Sequence, residues 1–141
     1  MNLGEIFRSN VITVDPDDTM IDAMRLMQQH GVGAVVAVRE GQVVGMLTDR
    51  DVALAVVLGT ATPDSAVSET MTRNVATIWE DQGIFDATQA MQGRHVRRLP
   101  IVSRQNELIG MVAFDDIVAL LAKEFHNISE AISPALADKA Y

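Results

Sequence analysis

Residues 5–54 of this chain return, about 64 positions later, as residues 69–119. Glu5, Asn10, Val11, Thr13, Asp17, Asp22, Ala23, Met27, Gln28, Val32 and Val38 are matched by Glu69, Asn74, Val75, Thr77, Asp81, Asp86, Ala87, Met91, Gln92, Val96 and Val102. After one inserted residue in the second copy, Gly45, Met46 and Asp51 are matched by Gly110, Met111 and Asp116. A repeat of this length means one structural unit written twice. Units of about 60 residues are marginal alone, so the copies are expected to share an interface and fold together, with a ligand site between them.

Local patterning gives each copy the same order of elements. Residues 11–14 read as a short strand, and Asp15-Pro16-Asp17-Asp18 supplies turn and helix-start chemistry. Met20, Ala23, Met24 and Met27 then fall at i, i+3, i+4 and i+7, the apolar face of a helix that Gly31 is placed to stop. Residues 34–38 and 42–47 form a hairpin around Glu40-Gly41, and 49–58 a second helix ended by Gly59. The second copy repeats this with strand 75–78, helix 84–93, strands 99–102 and 107–112, and helix 114–122. The fold class is therefore α/β, two tandem β-α-β-β-α units related by a pseudo-twofold axis. The expected division is repeat 1 over 1–59, a linker over 60–66 containing Pro63, repeat 2 over 67–122 and a helical tail over 123–141. In the tail, Phe125, Ile128 and Ile132 share one face and Pro134 follows. That face suits either packing on its own domain or an oligomer contact.

Composition narrows the function classes. The net charge of −8 disfavours nucleic acid, whose backbone calls for clustered Lys and Arg, and also anionic membrane surfaces. The absence of cysteine excludes disulfides, thiol catalysis and Cys-ligated zinc. His30, His95 and His126 lack metal-site spacing, so no metal is expected. No stretch is apolar for long enough to span a membrane or act as a signal peptide, and the expectation is a cytoplasmic protein. With aromatic residues at 4%, the core must be aliphatic and methionine-rich, which takes the first helix's methionines as core and Trp79 as a buried residue.

Gly45-Met46-Leu47-Thr48-Asp49-Arg50-Asp51 leaves a strand and opens a helix. A carboxylate here can accept hydrogen bonds from both hydroxyls of a ribose, with a threonine hydroxyl beside it. The same Thr-x-x-Asp spacing is also that of a capping box, which satisfies free N–H groups at the helix start. The two roles are compatible. The second copy reads Gly110-Met111-Val112-Ala113-Phe114-Asp115-Asp116, preceded at its start by Ser68-Glu69-Thr70-Met71-Thr72. This duplicated Gly-apolar-apolar-Thr-x-x-Asp pattern, in a β-α-β-β-α unit, resembles the CBS domain, two of which in tandem form a Bateman module. The likeness covers residues 3–122, nearly the whole chain.

The resemblance implies two clefts, each joining the Asp of one repeat to the first strand and the start of the second strand of the other. One would use Thr48 and Asp51 with Ala76 and Val96. The other would use Asp116 with Ile12, Val32 and Gly33. Ala113 lacks the hydroxyl of Thr48, a loss of about 1 kcal/mol for one hydrogen bond, so the Asp51 cleft is expected to be the better site. Arg97 and Arg98 stand where the first copy has Gly33 and Ala34. Similar modules often place a basic residue there for ligand phosphates, and guanidinium suits that contact. Alternatively the arginines offset surface acids, and adjacent strand residues point to opposite faces.

Asp49, Asp51, Asp115 and Asp116 are not accompanied by a nucleophile or water-activating partner, so no catalytic residue is assigned. The resemblance implies a non-enzymatic regulatory module, with no required cofactor, that binds an adenine nucleotide (AMP, ADP or ATP). It further implies a homodimer acting in trans on an unidentified regulated protein. Two alternatives stay open: an interaction module with degenerate clefts, and a binder of another adenosyl ligand such as S-adenosylmethionine or NAD.

Overall fold

The computed structural model describes residues 1–137, so residues 138–141 of the expected tail lie outside the described residues. The elements are α1 (Leu3–Phe7), β1 (Thr13–Val14), α2 (Met20–His30), β2 (Ala34–Arg39), β3 (Gln42–Thr48) and α3 (Asp49–Val57), then β4 (Ile78–Trp79), α4 (Ile84–Arg94), β5 (Arg98–Val102), β6 (Leu108–Ala113) and α5 (Phe114–Ala137). They build two three-stranded sheets, β1-β2-β3 and β4-β5-β6. In each the first pair is parallel and the second antiparallel. The register slips once at Ala37/Val38 and once at Ile101/Val102, which are matching positions of the repeat.

The local signals act as their chemistry dictates. Thr19 caps α2 by accepting from the Asp22 N–H at 3.3 Å, and Gly31 leaves the helix in the left-handed region at φ 63°. Glu40 and Gly41 both take positive φ, the geometry of a two-residue hairpin turn. Met20, Ala23 and Met27 are buried with Val14, Val35, Ala37 and Leu47 in one core. Ile78, Ala87, Met91, Leu99, Ile101, Val112 and Ile117 form the second.

Each core is completed by the other repeat. Leu3, at the start of the chain, is fully buried in the second core, while Val67 and Met71, which lead into the second repeat, are buried in the first. The backbone repeats the exchange bond for bond. Leu3 and Gly4 donate to the carbonyls of Gln82 and Glu80 at 2.8 and 2.9 Å; Val67 and Ser68 donate to those of Asp18 and Pro16 at 2.8 and 2.9 Å. Each lead segment then bridges the far edge of the other repeat's hairpin, Arg8 to Gly110 and Thr72 to Met46. The hairpin tips also meet, where Asn106 donates to the Gln42 side chain at 2.9 Å.

Several expectations change. The short α1 and the 3-10 turn Val67–Glu69 escape a periodicity argument, being under two turns long. An Asn2-x-x-Glu5 capping box opens α1, its two bonds at 2.9 and 3.0 Å. The first strands are two residues each, against the expected 11–14 and 75–78, and β4 runs one residue past the expected end, because only Thr13–Val14 and Ile78–Trp79 run alongside a partner strand. Trp79 is not buried: its neighbour Ile78 points into the core, so Trp79 points out, 47% exposed, with the Arg104 guanidinium 3.9 Å above its ring. The tail is the continuation of α5, which runs through Pro134 as one helix.

Candidate functional site

One cleft of about 380 Å³ opens between the repeats, within the usual size range of ligand sites. From the first repeat it is lined by Met46 and Thr48 at the end of β3 and Asp51 in the first turn of α3. From the second come Thr72, Asn74, Val75 and Ala76 on the extended lead into β4, Arg94 in the last turn of α4, and Val96, Arg97 and Arg98 at the entry to β5. Thr48, Asp51, Ala76, Val96, Arg97 and Arg98 therefore line one cleft, although up to 50 positions separate them in sequence.

Thr48 and Asp51 form a capping box. The Thr48 hydroxyl accepts from the Asp51 N–H at 3.1 Å, and Asp51 Oδ2 accepts from the Thr48 N–H at 3.0 Å. The box engages one carboxylate oxygen, Oδ2, and both residues are half-buried. Helix capping thus fixes the rotamers of the two side chains on the cleft wall, and Oδ1 remains to accept from a ligand.

The charges on the wall are one-sided at one end. Arg94, Arg97 and Arg98 are three of the chain's eleven Lys and Arg, so positive charge is concentrated here in a chain of net −8. Arg97 and Arg98 point differently. Arg97 donates to Asp115 Oδ1 at 3.3 Å and lies over the Phe114 ring at 5.4 Å, both at the start of α5. Arg98 reaches across to the first repeat, where a Cβ placed on Gly33 would meet its Nη2 at 3.6 Å and Asp49 Oδ2 at 3.4 Å. The Arg97–Asp115 pair is 72% and 85% exposed at its side chains, so solvent screening limits it to about 0–1 kcal/mol. An anion can take Arg97 from Asp115 at small cost.

The residues assigned to the second cleft are not gathered in the same way. Asp116 Oδ2 accepts from the Ala113 N–H at 2.9 Å, half of a capping box, since Ala113 has no hydroxyl to return the bond. The recess beside it, about 200 Å³, is lined by Arg97, Arg98, Ala113, Phe114 and Asp115. Ile12 packs against the first core, Val32 is 39% exposed, and none of Ile12, Val32, Gly33 and Asp116 lines that recess.

Arg94, Asn74, Thr72, Val75 and Met46 are cleft residues that the sequence reading did not single out. Arg94 closes α4 three residues before Arg97, and Asn74 and Val75 are repeat matches of Asn10 and Val11, which is the signal that was present. His95 ends α4 in the left-handed region at φ 53°, a helix-terminal role. Among the described residues no group of three His, Cys, Asp or Glu is placed to hold a metal ion, and no helix is long and apolar enough to cross a membrane.

Residues 3–58 and 67–123 each match the CBS domain family. The CBS domain-containing protein YhcV of Bacillus subtilis is 41% identical over 116 residues, covering 82% of each chain. The uncharacterized protein MK0525 of Methanopyrus kandleri is 36% identical over 141 residues, covering 94% of this chain and 72% of its own. Among solved structures, the CBS domain pair of protein MJ0100, in complex with 5'-methylthioadenosine and S-adenosyl-L-methionine, superposes with a TM-score of 0.79 at 25% identity. It covers 88% of this chain and 98% of that one.

Proposed function

The chain belongs to the CBS domain family, and from that premise we propose that it is a non-enzymatic sensor that binds an adenine nucleotide, AMP, ADP or ATP, in the Asp51 cleft. One observation carries this reading. A single cleft joins a carboxylate–hydroxyl pair from one repeat, an apolar wall from both, and three arginines from the other. Asp51 Oδ1 accepts from the ribose hydroxyls, with the Thr48 hydroxyl beside it. Met46, Val75, Ala76 and Val96 flank the base. Arg94, Arg97 and Arg98 receive the phosphates, for which guanidinium is the better cation.

The two repeats furnish different parts of the site, so a ligand bridges them and favours the arrangement in which they close on it. A phosphate that draws Arg97 away from Asp115 also alters the start of α5. The output then passes to a regulated partner in trans through the association or exposure of that helix, and the working unit is a homodimer.

A second reading has an observation of its own. MJ0100, at 25% identity, was solved with adenosyl ligands that carry no phosphate. On that reading the arginines answer surface acids and S-adenosylmethionine or a relative fills the cleft. Isothermal titration calorimetry with AMP, ADP, ATP, NAD, 5'-methylthioadenosine and S-adenosylmethionine separates the two. A phosphate-bearing ligand is expected to bind more tightly than 5'-methylthioadenosine. Asp51→Ala is expected to weaken it by roughly 10- to 100-fold, the value of a charged hydrogen bond, and Asp116→Ala to leave it within about twofold. If no adenosyl ligand binds, or Asp51→Ala binds as the native chain does, the proposal fails.

A further inference from the structure

Beyond its first two turns, α5 leaves the body of the protein. Ile117 is buried in the second core, but every residue from Leu121 to Pro134 is exposed. A helix of this length with no packed face is marginal in water, because helices in proteins draw most of their stability from burying an apolar stripe. Such a stripe is present. Phe114, Val118, Leu121, Phe125, Ile128 and Ile132 follow one another at intervals of 4, 3, 4, 3 and 4, and all six are exposed, Phe125 by 70%. Alternate steps of 4 and 3 keep the six side chains on one face of the helix, the seam that two helices need in order to pair along their length.

We propose that this seam pairs with the same seam of a second copy of the chain, making the end of α5 a two-helix coiled coil that joins two protomers. Three observations favour a second copy as the occupant. The seam's length is the first. Side chains of roughly 150–200 Å², about half exposed, leave on the order of 500 Å² of apolar stripe per chain, at the upper range of what a monomer shows to water. Two stripes face to face remove about 1,000 Å², the floor for a specific interface. The flanks come second. The seam's outer neighbours along the tail are Ala122, Ser129 and Ala131, small and uncharged, with Glu124 the one charge among them. Two identical helices can therefore approach without facing rows of like charge. Third, the seam is continuous with exposed Phe114 and Val118 on the packed part of α5, so the tail is held straight out from a fixed base. It ends at Ile132, two residues before Pro134, beyond which a proline interrupts the backbone ladder.

This deepens the homodimer in the proposed function, and its test needs no nucleotide. Sedimentation equilibrium across a concentration series compares the native chain with Phe125→Glu, on the seam, and Asn127→Glu, off it. The native chain and Asn127→Glu are expected to dimerise alike, and Phe125→Glu to raise the dimer Kd at least tenfold. Hydrogen exchange on the native dimer is expected to protect amides 121–132, and Phe125→Glu to lose that protection. A dimer unaffected by Phe125→Glu but dissociated by Val57→Glu on exposed α3 leaves a homodimer standing and overturns the seam. A monomeric native chain overturns both, and a monomer with a protected tail means that the helix folds back on its own domain. Titration of the variants with AMP reads the nucleotide site separately.

Discussion

Gly45 and Gly110 are repeat-matched positions where the lead segment of one repeat crosses the hairpin of the other, and substituting each by alanine should give opposite results. A Cβ on Gly110 would run into the Phe7 carbonyl group, with the carbonyl carbon at 3.2 Å and the Arg8 Cα at 3.4 Å. All of these are backbone atoms, held by the α1 hydrogen bonds to Gln82 and Glu80 and by the bridge from Arg8 to Gly110. To admit the methyl group the lead segment must lift, loosening Leu3, which is fully buried. Overpacking costs about 1–3 kcal/mol and partial loss of a buried leucine adds up to about 1.5–3 kcal/mol. A total near 3 kcal/mol is expected for Gly110→Ala. The three heavy atoms nearest a Cβ on Gly45 all belong to the Met71 side chain, with Cγ at 2.8 Å and Cε at 3.0 Å. An unbranched thioether has three torsions with which to move aside, so Gly45→Ala should lose about 1 kcal/mol. Urea unfolding followed by circular dichroism reads both as midpoint shifts at a common m-value. Hydrogen exchange should show residues 3–8 exposed in Gly110→Ala alone. Equal midpoints for the two variants, or a neutral Gly110→Ala, would refute the argument that backbone contacts give less than side-chain contacts here.

Thr48→Ala writes the second repeat's alanine into the first. It should lower stability by about 1 kcal/mol through the lost cap, seen in the same urea titration, while Asp116→Ala, with half a box to lose, should lower it less. Arg97→Ala combined with Arg98→Ala should weaken AMP at least tenfold in calorimetry and leave any binding of 5'-methylthioadenosine unchanged; an equal loss for both ligands would remove the arginines from phosphate recognition. Leu3→Ala should cost about 2–5 kcal/mol, measured by urea midpoint, although sequence order places Leu3 outside the repeat whose core it fills. A cost below about 0.5 kcal/mol, the range of ordinary surface changes, would mean that α1 is dispensable to the second core.

The amino-acid sequence by itself determined the local structure and its duplication. The i, i+3, i+4, i+7 spacing of Met20, Ala23, Met24 and Met27, the Glu40-Gly41 turn and the Gly31 stop are each decided by atoms within a few residues, so each can be read without a partner. The motif ending in Asp51 likewise announces its own capping box. What only the tertiary structure decided is which copy each segment serves. Leu3 and Val67 look alike in sequence, yet each packs in the other repeat's core, because the apolar edge each lead segment can cover lies across the interface. The same crossing brings Ala76 and Val96 to Asp51, and sends Arg97 to Asp115 and Arg98 toward Asp49, although the two arginines are adjacent in the chain. Trp79 turned outward because strand alternation, not its hydrophobicity, sets its face. Propensity and periodicity act over a few bonds, whereas the pairing of buried surfaces acts between residues dozens of positions apart, and no short-range pattern along the chain announces that pairing.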